Sequence, residues 1–114
     1  MPSAADISLT EDEVGLLRSG LNEWSGSANL ADAPAKALGF TSTDDFFEQS
    51  RRVDASLDRN GSMPIDDWRR TLLATEVVFA SDIIGSGIEW ETTTGVQDAA
   101  ALQLLRSLQR KLAR

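Results

Sequence analysis

The chain has no cysteine, no histidine and no tyrosine among its 114 residues. Without cysteine there is no disulfide, no thiolate nucleophile and no sulfur ligand for a metal. Without histidine there is no imidazole base near neutral pH, so His-dependent triads and Cys/His zinc sites are excluded. A catalyst built from this chain has only carboxylates, hydroxyls, Lys, Arg or a bound metal to work with. Long apolar runs are missing as well: no stretch approaches the roughly 18 to 20 apolar residues of a membrane span. Residues 1–6 lack the basic and apolar regions of a secretory signal, and residues 1–8 read as a flexible N-terminal arm ahead of a single domain over 9–114. Small secreted domains usually carry disulfides, so the missing cysteine points to a cytoplasmic protein.

Basic residues are scarce in one half only. Residues 1–48 hold nine acids against two bases, Arg18 and Lys36, whereas residues 49–114 hold nine of each. The whole net charge of −7 therefore belongs to the first half. Such polarity attracts a basic protein and opposes phosphate, so the expected partner is a protein with a basic surface rather than nucleic acid or membrane.

The apolar fraction of 41% permits a core, and a chain of this size buries roughly 65% of its unfolded surface without staples. Its periodicity is helical. Thr10 and Glu13 have capping-box spacing, with Leu9 and Val14 placed as a staple around them. Glu11, Asp12 and Glu13 suit the positive end of a helix dipole, and Val14, Leu17, Leu21 and Trp24 form the apolar stripe. A short helix follows Asp32, with Pro34 in its first turn and Gly39 as its stop. A third begins at Ser42 or Thr43, buries Phe46, Phe47, Val53 and Leu57, and ends at Asn60-Gly61. The fourth runs from about residue 65 to 84 and is apolar over so wide an arc that it is expected at the centre. Gly85-Ser86-Gly87 breaks it; residues 88–94 read as an extended connector with Trp90 turned inward. Thr94 and Gln97 have the spacing of a second capping box, opening a last helix on Ala101, Leu105, Leu108 and Leu112. The expected fold is an all-α, compact single-domain bundle of four or five helices.

One loop carries chemistry. Residues 56–68 resemble an EF-hand calcium loop, in which alternating oxygen ligands, a turn glycine and a closing carboxylate wrap one ion. The resemblance assigns Ser56, Asp58, Asn60 and Asp67 as ligands of Ca²⁺, Gly61 as the turn glycine and Met63 as the apolar eighth position. It departs from the family at Ser56, where a carboxylate is usual, and at Arg51 and Arg52, where the entering helix is usually apolar. The same residues also read as a helix stop at Asn60-Gly61 followed by an acidic helix start at Asp66-Asp67. Glu76 and Asp82 lie inside the most apolar segment, and each needs a cationic or N–H partner or a groove. Trp90 becomes a partner-binding anchor if it is exposed, and core otherwise. No other cofactor is implied. The composition favours a small non-catalytic interaction or regulatory module with a basic protein partner, the calcium-binding module being the alternative.

Overall fold

Thr10 opens the first helix as its spacing requires. Its hydroxyl accepts from the Glu13 N–H at 3.1 Å while the Glu13 carboxylate accepts from the Thr10 N–H at 2.9 Å. The computed structural model describes residues 1–24, 30–81, 85, 87 and, apart from the Thr93 side chain, 90–113. These residues form α1 (Glu11–Glu23), α2 (Asp32–Ala37), α3 (Thr43–Asp58), α4 (Ile65–Ala80), α5 (Trp90–Thr94) and α6 (Asp98–Leu112). The fold is all-α, and the described residues contain no strand. Its radius of gyration of 13.0 Å matches the roughly 13 Å of a folded chain this long.

Two helix ends follow from the residues at them. Ser42 caps α3 by accepting from the Asp45 N–H. At the other end Asn60 takes φ 54°, and the N–H groups of Asn60 and Gly61 turn back to the carbonyls of Leu57 and Ser56. That pair of bonds is a Schellman closure. α2 ends the same way, with Gly39 and Phe40 donating to Lys36 and Ala35.

α1 packs on α3, α4, α5 and α6, and its main partner is α4, which also packs on α6. The two cross at Gly20. A Cβ there would lie 2.7 Å from Cγ2 and 2.8 Å from Cβ of Thr75, which is fully buried. Thr75 can occupy that dry position because its hydroxyl donates to the Thr71 carbonyl, as Thr71 does to Asp67. Around the crossing the core gathers Leu16, Leu17, Trp24, Phe46, Trp68, Val78, Trp90 and Leu108. Both Trp24 and Trp68 bury their rings with the indole N–H donating, to Ala74 O at 3.2 Å and to Pro2 O at 3.0 Å.

Three features differ from the periodicity. α4 stops at Ala80, not near residue 84, and Ser81 leaves it in an extended conformation. Gly85 closes against the helix end: its N–H donates to Ser81 O, and a Cβ would stand 2.6 Å from Val78 Cα. Residues 90–94, expected as part of an extended connector, form α5. Thr94 therefore closes α5 instead of capping α6. Its hydroxyl donates to Trp90 O and accepts from Val96, while Glu91 accepts from the first N–H of α6. Residues 1–8, expected as a flexible arm, lie against the domain: Pro2 O accepts from Met63 and Trp68, and Ala4 is buried.

The crossing sets up a paired test. Gly20→Ala adds helix propensity but drives a methyl into Thr75, so it should lower stability by roughly 1–3 kcal/mol. Gly15→Ala, one and a half turns away in open space, should raise it by about 0.5–1 kcal/mol. Urea midpoints at unchanged slope measure both; equal signs would mean the crossing is looser than described.

Candidate functional site

Three acidic residues of the first half, Glu13, Asp32 and Asp45, and three of the second, Asp54, Asp58 and Asp67, are held by partners within the fold. Glu13, 1% exposed, meets Lys111 of α6, which also donates to the Ser8 carbonyl. Arg18 joins α1 to α3 through Asp54 at 2.8 Å and Asp58 at 3.0 Å. Asp67 is buried at the start of α4 between Arg52 of α3 at 3.0 Å and Arg70 at 2.8 Å. Asp32 holds the N–H and hydroxyl of Thr43, and Asp45 holds the N–H of Thr41. Those bonds hold the Asp32 and Asp45 carboxyls below the usual range. For Glu13, burial pushes the carboxyl up, but Lys111, the Thr10 N–H and the nearby Ser107 together outweigh it and bring it below its ordinary value.

The residues of the calcium reading are placed as follows. Ser56 is buried in the last turn of α3 and its carbonyl takes part in the Schellman closure. Asn60 forms the left-handed turn that makes that closure. Asp58 and Asp67 carry their charges into separate ion pairs, to Arg18 and to Arg52 with Arg70. Among the described residues no three acidic side chains gather closely enough to hold a metal ion. The helix-stop reading of Asn60-Gly61 describes the backbone found here.

The three partner-binding candidates separate. Trp90 is fully buried and meets the Phe79 ring edge-on at a centroid distance of 5.4 Å, so it belongs to the core and offers no anchor to a partner. Its place follows from α5, which turns the indole under α4. Glu76 is half-buried and accepts from the side-chain N–H of Gln109 of α6 at 2.6 Å, a neutral partner. Asp82 lies outside the described residues.

Sequence reasoning missed a groove. It runs between α1 and the α5–α6 turn, has a volume of about 580 Å³, and is floored by Leu16, Val96 and Leu104. Glu11 and Asp12 stand on its rim, both exposed, in no ion pair with any described residue, and among the described residues no basic side chain lines the groove. A second groove of about 610 Å³ lies on the other side of α1, between Leu9, Val14 and Asn60. Its one basic side chain, Arg18, is already paired with Asp54 and Asp58. Glu11 and Gly15 line both grooves. The available signals were a glycine on the polar face of the first helix and Leu104 off the buried stripe of the last.

Comparison with protein-family models, with curated proteins and with solved structures finds no match for this chain. No helix among the described residues is long and apolar enough to cross a membrane.

The carboxylates set a pH dependence with a definite sign. A carboxyl held low in the fold adds stability above its unfolded value, near 4.3 for glutamate, and loses it as pH falls through the folded value. Stability should therefore decline as pH is lowered from about 5 toward 3. Lys111→Met should be less stable at pH 7 and should lose less over that acid range, as read by urea midpoints; a wild-type curve flat in acid would contradict the Glu13 assignment.

Proposed function

We propose that this chain is a small, non-catalytic interaction module that docks a basic protein through the outer face of α1. The observation that carries the reading is the pair Glu11 and Asp12. While Glu13, Asp32, Asp45, Asp54, Asp58 and Asp67 are held by partners within the fold, these two stand free of any described cation on the rim of a groove with an apolar floor. Charge of one sign around apolar surface is the pattern that steers a complementary partner and then holds it.

The basic residues support the same choice over nucleic acid. Arg52 and Arg70 are bound to Asp67, Arg70 also lies over the Phe40 ring, and Arg69 donates to the last helical carbonyl of α6, Leu112. Guanidinium groups committed in this way are poorly placed to follow a phosphate backbone. A cytoplasmic setting is part of the reading, in keeping with a chain that needs no disulfide.

The test is kinetic. With a basic protein partner in hand, the association rate should fall about tenfold or more between low and physiological salt. The double variant Glu11→Lys, Asp12→Lys should lower it comparably at low salt, whereas Asp44→Lys with Glu48→Lys on α3 should have a smaller effect. Association indifferent to both salt and the α1 substitutions would remove the proposal.

A further inference from the structure

Gly15 is a glycine for which the folded monomer has no use. Gly20 and Gly85 lack a Cβ because a neighbour occupies its place. At Gly15, in the middle of α1, a Cβ would meet no described atom within 4 Å, so the helix carries the ordinary cost of glycine, about 0.5–1 kcal/mol, without a contact in return. The position is not an arbitrary one on the surface. Gly15 lines the groove toward α6 and the groove toward the α3 end, and it forms the low saddle of α1 between them.

We infer that this saddle receives a helix: a basic, amphipathic helical segment of a partner protein crosses α1 at Gly15, with apolar side chains entering the two grooves and its Lys or Arg side chains meeting Glu11 and Asp12. Helices normally pack 8–10 Å apart, the distance being set by the side chains at the contact, and a glycine at the crossing allows an approach at or below the short end of that range. The grooves on the two sides offer Leu16, Val96 and Leu104, and Leu9 and Val14, to the apolar face. Charge decides the occupant. A second copy of this chain brings a net charge of −7 to an acidic rim and is repelled, whereas a basic segment is drawn to it. The inference rests on the interaction-module reading and adds to it the form of the partner and the point of contact.

The probe is a short synthetic helical peptide with leucine along one face and lysine elsewhere, titrated into the isotopically labelled full chain at low salt and followed by amide NMR. A peptide of the same composition with its leucines scrambled serves as the comparison. Amide shifts should concentrate at Gly15, Ser19, Val96, Ala100 and Leu104, and the amphipathic peptide should bind about tenfold more tightly than the scrambled one. Gly15→Trp, which fills the saddle in open space, should weaken binding about tenfold while the variant unfolds at a urea midpoint close to that of the wild type. Gly15→Ala, more stable but only slightly bulkier, should weaken it less. Binding on the outer face of α1 that ignores both the scrambling and Gly15→Trp overturns the helix-docking inference and leaves the acidic-module reading standing, whereas binding that maps elsewhere overturns both. Absence of binding by either peptide at low salt overturns both.

Discussion

The close approach of α1 and α4 at Gly20 and Thr75 is the contact on which the remaining structure depends. A glycine facing a threonine whose hydroxyl is satisfied within its own helix lets the two backbones meet without leaving a polar group dry and unpaired. Once they are that close, Leu17 and Leu21 of α1 and Trp24 at its C-cap share a core with Leu72, Ala74 and Val78 of α4. Trp24 can then place its N–H on the Ala74 carbonyl across the interface. α3 and α6 pack on α1 at other faces, so the position of each is referred back to the same crossing.

Polar clamps at the periphery fix what apolar contact leaves free. Asp67 bridges Arg52 and Arg70 and so ties α3 to α4; Arg18 ties α1 to α3; Glu13 and Lys111 tie α1 to α6. Glu13 serves twice, because the carboxylate that completes the capping box also receives the lysine. Each clamp has at least one half-exposed partner, which limits its stabilisation to a modest level and makes registration of the helices its larger effect. Lys111 extends this to the N-terminal segment by holding the Ser8 carbonyl, while Pro2 receives Met63 and Trp68.

The same clamps redefine the acidity. A net charge of −7 concentrated in 48 residues suggests a uniformly attractive face. In the folded chain Glu13 is paired with Lys111 and Asp32 and Asp45 are held by N–H groups, while on α1 Glu11 and Asp12 stand beside Gly15 and two grooves. The proposed docking therefore rests on a short length of one helix. Around residue 60, two residues of the calcium-like spacing, Asp58 and Asp67, meet arginines supplied from other helices or from one turn away.

By itself the sequence determined the local events. The capping box at Thr10, the cap at Ser42, the stops at Gly39 and Asn60-Gly61 and the inward side of each long helix all follow from residues within one or two turns of each other, because backbone hydrogen bonding and 3.6-residue periodicity are short-range. Where local signals conflicted, at the end of α4 and around Thr94, packing chose: Gly85 closing on Val78 ended one helix early, and a short helix on a buried Trp90 took the threonine intended as a cap. Tertiary structure alone decided which charges are paired and which are left, since Glu13 and Lys111, or Arg52 and Asp67, meet only after helices distant in sequence have packed. It also decided that Gly20 lies in a contact while Gly15, on the same helix, faces open space. A sequence carries no distance between faces, and the free surface of a protein is what the packing of all the other faces leaves behind.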